Sequence, residues 1–177
     1  MVRSMLRRLW KPALASAVAL SGCLLTTPAP AAPRAAAVPS GDYCAPTESL
    51  YGGGSYTYTD VQVCLHVGSY SDHSDDAVRV STRNNTYYWG GAWYSASPDH
   101  PADWTGEGSF TKDGTEHWFG SHRTQVAREL SDDTNQNPFS CGTYTVAFRF
   151  RQKGPYWTAD GNDINLGERS YQISLPC

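Results

Sequence analysis

The chain has 177 residues, is 40% hydrophobic and 12% aromatic, and carries 14 basic against 17 acidic side chains for a formal net charge of −3. That is apolar material for one packed domain and too much for a disordered chain, and no run of about 18 apolar residues offers a transmembrane span. Beyond the N-terminal segment the lysines are Lys112 and Lys153, and no arginine cluster supplies an electrostatic footprint, which excludes nucleic acid as a partner.

Arg3, Arg7, Arg8 and Lys11 precede a short apolar run from Ala13 to Leu25, the charge and length pattern of an export signal. Small residues stand where a signal peptidase reads them, at Ala29 and Ala31 and again at Ala35 and Ala37, so the signal is set at 1–31. Its removal takes away four bases and no acid, leaving ten bases against seventeen acids, a net charge of −7 that repels polyanions. Leu20-Ser21-Gly22-Cys23 resembles the lipobox of bacterial lipoproteins. That likeness implies a signal ending at 22, lipidation of Cys23 and anchoring on the outer face of the cytoplasmic membrane. Leu24 and Leu25 prolong the apolar run past the cysteine and favour free, extracellular secretion. Pro- and Ala-rich residues 32–42 read as a solvated linker, with a domain at 43–177.

Four cysteines remain in that domain, Cys44, Cys64, Cys141 and Cys177. An even set in an exported chain means disulfides, and four cysteines allow three pairings. The expected one joins Cys44 to Cys64 and Cys141 to Cys177, the second pinning the last strand to the start of its partner. No CxxC spacing supports zinc.

Val61, Val63, Leu65 and Val67 alternate with Gln62, Cys64, His66 and Gly68, the period of a strand with one buried face. Val78 and Val80 repeat it, Asn84-Asn85 reads as a turn, and Tyr87-Tyr88-Trp89 as the returning arm of a hairpin. Arg123 to Leu130 fits helix and strand equally, since Val126 and Leu130 lie four apart while Thr124, Val126, Arg128 and Leu130 alternate. Tyr144, Val146, Phe148 and Phe150 define one face of a strand whose other face is Thr143, Thr145, Arg149 and Arg151. Tyr171, Ile173 and Leu175 define a last strand, stopped by Pro176. Short strands parted by Gly, Asn, Asp and Pro clusters, with no fixed repeat, predict an all-β, antiparallel, immunoglobulin-like β-sandwich stapled by two disulfides. The Ala-rich signal, the preference for Arg over Lys and the stapled sandwich together resemble small exported proteins of actinobacteria, a likeness that implies no particular activity.

Aromatics crowd one stretch, where Tyr87, Tyr88, Trp89, Trp93, Tyr94 and Trp104 are interleaved with Gly90, Gly91, Asp99 and Asp103. Ring faces stack on the C–H faces of sugars or on proline-rich peptides, and carboxylates accept hydroxyl hydrogen bonds. Trp89, Trp93, Tyr94, Asp99, Asp103 and Trp104 are therefore the predicted ligand-binding residues, with Trp118 and Trp157 as further exposed candidates. The competing use of such rings is to fill the core.

His73 lies among Asp72, Asp75 and Asp76, His100 follows Asp99, and His117 follows Glu116, with His66 and His122 elsewhere. No G-x-S-x-G or HExxH motif accompanies them, so no catalytic residue is assigned. Asp160 to Asn165 offers hard oxygen donors that suit calcium but departs from the EF-hand pattern at Ile164, and no cofactor or metal site is assigned. The expected function is non-catalytic binding of a cell-wall glycan, polysaccharide or protein partner. The alternatives are an inhibitor of an extracellular hydrolase, presenting a loop at Ser97 to Gly106 stiffened by Pro98 and Pro101, and a small hydrolase using His100 or His117 with an adjacent carboxylate.

Overall fold

A computed structural model describes residues 37–125, 128–136, 138–154 and 161–177. The strands are β1 (Gly41–Cys44), β2 (Glu48–Tyr51), β3 (Thr57–Val67), β4 (Ala77–Trp89) and β5 (Ala92–Ser95), then β6 (Ala102–Lys112), β7 (Thr115–Gln125), β8 (Leu130–Gln136), β9 (Gly142–Lys153) and β10 (Ile164–Leu175). Among the described residues the helical element is one 3-10 turn at Gly53–Ser55. All pairings are antiparallel and form two sheets. In the first, β3 and β4 lie side by side; β1 and β2 pair with successive halves of β3, and β8 and β5 with successive halves of β4. The second runs β10-β9-β6-β7.

The alternation read from the sequence sets the layers. Val61, Val63, Leu65 and Val67 on β3 and Val78 and Val80 on β4 are buried in one cluster with Trp104, Phe110, Phe119, Tyr144, Val146, Phe148 and Phe150 of the second sheet. Each such side chain contributes about 1.5–3 kcal/mol when fully removed from water, so the period-2 pattern decides which face turns inward. Both expected disulfides are formed. Cys44–Cys64 links directly paired residues of β1 and β3, and Cys141–Cys177 links the approach to β9 with the end of the chain past β10.

Polar contacts fix the entries to the strands. Tyr144 Oη accepts from Ser140 N at 3.0 Å and donates to Ser140 O at 3.1 Å, closing the bend that leads into β9. Lys112 Nζ lies 5.3 Å over the Tyr144 ring and donates to Ser140 Oγ at 2.6 Å. Asp76, fully buried, accepts from Gly68 N at 2.8 Å and Phe139 N at 2.7 Å and pairs with His73 Nδ1 at 2.9 Å, tying two loops to the start of β4. A buried carboxylate is tolerated only when satisfied in this way.

Three expectations change and one open choice between helix and strand is decided. Asn84-Asn85 is not a turn, because β4 runs unbroken from Ala77 to Trp89. The register jumps there, from Asp60↔Arg83 to Tyr58↔Thr86, so Asn84, at φ 55°, is the extra residue of a bulge. The hairpin turn is Gly90-Gly91, with φ of 57° and 92°, left-handed values that glycine takes without strain. Arg123 to Leu130 holds no helix among its described residues, since β7 continues to Gln125 and β8 starts at Leu130; Val126 and Ala127 lie outside the described residues. Residues 41 and 42 belong to the domain rather than the linker, as Gly41 and Asp42 pair with Val67 and His66. Half of the supposed loop at Ser97 to Gly106 is strand, because β6 begins at Ala102.

Candidate functional site

The bulge at Asn84 builds the site by reversing the phase of β4. Before it Val78, Val80 and Thr82 point into the core; after it Asn85 and Tyr87 do. Asn85 is wholly buried and is a structural node: its Nδ2 donates to Thr82 Oγ1 at 3.0 Å and Arg128 O at 2.8 Å, and its backbone bonds Arg128 O and Ala96 N. The reversed phase turns Tyr88 to the outer face of the sheet and Trp89 to the inner side of the projecting β4–β5 ribbon.

Across the Gly90-Gly91 turn, Trp93 is the direct partner of Tyr88, and their rings meet edge-on at 5.7 Å between centroids. On the other side of Tyr88 lies Tyr56, 5.8 Å away. The neighbouring row of the same face, about 7 Å along the strands, begins with Tyr51 opposite Tyr58, whose rings are 4.8 Å apart. Tyr51, Tyr56 and Trp93 are 60%, 45% and 47% exposed, so the strip is an open aromatic surface spanning four neighbouring strand positions.

Two features hold the strip in place. Gly52 and Gly53, between Tyr51 and Tyr56, lie so close to the chain ahead of β10 that a Cβ on them would fall 1.8 Å from Asn162 O and 1.9 Å from Gly161 O. Only glycine allows that approach, which seats the turn carrying both tyrosines. Beside the rings, Asp60 accepts from Ser49 Oγ at 2.6 Å, Tyr58 Oη at 2.6 Å and Asn84 Nδ2 at 2.8 Å. Burial opposes the charge of Asp60, but these three donors and the nearby Arg83 guanidinium outweigh it and hold its carboxyl below the usual carboxylate range. The same bond to Asp60 raises the Tyr58 phenol above its ordinary value. Arg128 Nη2 reaches Asn84 Oδ1 at 2.8 Å, so the bulge residue links the carboxylate to a guanidinium. Ring faces bordered by a fixed carboxylate, an amide and hydroxyls match the alternating C–H and hydroxyl surfaces of a sugar.

The sequence-predicted residues do not converge. Trp93 alone joins the strip. Trp89, opposite Ala92, and Tyr94, stacked on Tyr87 at 5.8 Å, lie on the other side of the ribbon. Trp104 is 1% exposed and stacks on Phe150 at 5.9 Å, so it is a core residue and not a ligand contact. Asp99 is exposed in the turn closed by Ser97 and His100, and Asp103 is on β6, in the other sheet. Trp118 stands on β7, on that sheet's outer face; Trp157 and Asp160 lie outside the described residues. Tyr51, Tyr56 and Tyr58 were not singled out by sequence reasoning, although their spacing beside Gly52-Gly53-Gly54 marks a turn rich in rings.

The histidines are dispersed. His66 Nδ1 pairs with Asp42 at 2.7 Å, in a network continued by Arg79 to Asp42 and Asp133. His117 stacks on Phe110 at 5.0 Å, whereas His100 precedes the opposite end of β6. Those two are separated by about 26 Å of extended strand, so they cannot share a reaction centre. Among the described residues no three His, Cys, Asp or Glu side chains gather where they could hold a metal ion. No family model, curated protein or solved structure matches the chain.

Proposed function

We propose that this is a secreted, non-catalytic binding domain that takes an extracellular glycan across the Tyr56–Tyr88–Trp93 strip. The observation that carries the reading is the contiguity of these rings on the outer face of one sheet, with Tyr51 and Tyr58 in the next row and Asp60 alongside. A soluble domain rarely leaves such a contiguous aromatic surface without a ligand for it. The net charge of the chain without residues 1–31 directs the choice to neutral or cationic polymers over anionic ones. Export is supported by the basic and apolar N-terminal segments together with two disulfides, which persist in oxidising compartments.

The immunoglobulin-like topology is part of the same proposal. It is supported by β4 pairing with β8 in one sheet while β6, β9 and β10 pair in the other, the connectivity of the B–E and C–F–G strands of such domains. The bend closed by Tyr144 at the start of β9 corresponds to a tyrosine corner. The disulfides depart from the immunoglobulin pattern, because neither joins the strands that would be B and F.

Co-sedimentation of the purified domain with insoluble cellulose, chitin and bacterial cell-wall polysaccharide tests the reading. Saturable retention on at least one polymer, displaced by its soluble fragments, is expected. Absence of retention on all of them, with a folded and oxidised domain, would contradict it.

A further inference from the structure

We propose a second ligand groove on the outer face of the β10-β9-β6-β7 sheet, fitted to a glycan that carries protonated amines. Trp118, on the edge strand β7, is 68% exposed, the highest value for a large hydrophobic side chain among the described residues. It stands opposite Ser109 on β6, which stands opposite Ala147 on β9, which stands opposite Ser170 on β10. Three short side chains in one cross-strand row make a floor that starts at the indole and runs about 14 Å across the sheet, at about 4.8 Å per strand.

The rows on either side are long and polar. One is Glu107, Arg149 and Glu168, in direct register, with the guanidinium 3.7 Å from Glu107 and 3.4 Å from Glu168. The other is Glu116, Thr111, Thr145 and Gln172, in which Gln172 Nε2 donates to Thr145 Oγ1 at 2.9 Å. A depression lined by Trp118, Ser109, Ala147, Glu107, Glu116 and Arg149 lies between them.

The charges select the ligand. Three carboxylates against one guanidinium leave the groove with an excess of two negative charges beside an indole, the ring that attracts cations best. A neutral sugar would use the ring and the hydroxyls but not the carboxylates; an amino sugar uses all three. A lysine-rich peptide supplies the same cations, but the floor crosses the strands on the face of the sheet, where a peptide backbone finds no ladder to join. Serine and threonine hydroxyls instead line the path, as a hydroxyl-rich chain requires. This groove is on a different sheet from the Tyr56–Tyr88–Trp93 strip and does not depend on it.

Titration of the full domain with soluble glucosamine oligomers, their N-acetylated counterparts and oligolysine tests the proposal, read by calorimetry and tryptophan fluorescence. The deacetylated oligomers are expected to bind, with binding weakened about tenfold or more by Trp118→Ala and by the pair Glu116→Gln and Glu168→Gln, and lost at high salt. The titrations are repeated in the Trp93→Ala background, where the first strip is disabled, and the same dependence on Trp118 and on the carboxylates is expected there, which separates the outcome from that of the first strip. The substituted residues are exposed, and thermal midpoints would verify that both variants fold. In that background, equal binding of the acetylated oligomers, tighter binding of oligolysine, no binding of any oligomer, or unaltered binding when Trp118 and the carboxylates are substituted would overturn it.

Discussion

Trp89 and Trp93 occupy opposite faces of one two-stranded ribbon, because Trp93 is paired with Tyr88 while Trp89 is paired with Ala92 across the Gly90-Gly91 turn. Two tryptophans so close in sequence invite the idea of a shared platform, and the pleat forbids it. What Trp93 shares instead is a surface with Tyr88 and Tyr56, residues brought together by register and by the bulge at Asn84.

Asp60 gives the strip a pH signature. Its carboxyl is held below the usual range in the folded state, so its contribution is complete above the unfolded value of about 3.9 and disappears as pH falls through the folded value. Asp60→Asn is expected to lower stability at neutral pH by about 1–2 kcal/mol and to make stability less dependent on pH below about 4. Urea unfolding at a series of pH values measures both. A pH dependence identical to that of the unsubstituted domain would show that Asp60 is not tied by Ser49, Tyr58 and Asn84.

Asp76 is a fully buried carboxylate held by three donors. Asp76→Ala leaves Gly68 N, Phe139 N and His73 Nδ1 without their acceptor, so a loss of at least about 3 kcal/mol is expected. Chemical denaturation reads the loss directly. A change below about 1 kcal/mol would mean that these donors find water instead.

The strand pattern was legible wherever the chain alternates without interruption, as in Val61 to Val67 and Tyr144 to Phe150, because there a single register buries every apolar side chain. The Cys141–Cys177 pair was legible for a similar reason, since the strands it flanks are assigned from their alternation, whereas the strand that carries Cys44 is not. The bulge was not. Asn84-Asn85 has the composition of a turn, and nothing local reveals that Asn85 is held inside by Thr82 and Arg128, the latter far along the chain. Across that one extra residue the facing of β4 reverses, which is why Tyr88 and not Trp89 shares the outer face with Trp93. Composition alone does not reveal the facing of Trp104: it follows Asp103 in a polar stretch, yet its place in the alternation of β6 turns it inward.

The two disulfides should contribute unequally. In the chain-entropy model, Cys141–Cys177 closes 36 residues and Cys44–Cys64 closes 20, which corresponds to about 4 and about 3 kcal/mol. Paired Cys→Ser substitutions followed by calorimetric melting are expected to lower the melting temperature more for the longer loop. The reverse order would indicate that local packing around Cys44–Cys64 outweighs loop closure.

Trp104 is expected to behave as a core residue with an unsatisfied donor. Its Nε1 is buried without a hydrogen-bond partner among the described residues. Trp104→Ala should cost about 3–5 kcal/mol, and Trp104→Phe considerably less, since phenylalanine retains the stack on Phe150 and removes the orphaned N–H. Equilibrium unfolding distinguishes them, and equal losses would argue that the indole nitrogen is satisfied by water.

The most direct measurement is a comparison of Trp93→Ala with Trp89→Ala in binding isotherms on whichever polysaccharide retains the unsubstituted domain. Both side chains are exposed and both variants should fold, so stability does not separate them. The outer-face strip predicts that Trp93→Ala weakens binding by about tenfold or more, the loss of one stacked aromatic contact, while Trp89→Ala binds as the parent does. Equal weakening by both substitutions, or weakening by Trp89→Ala alone, would contradict it.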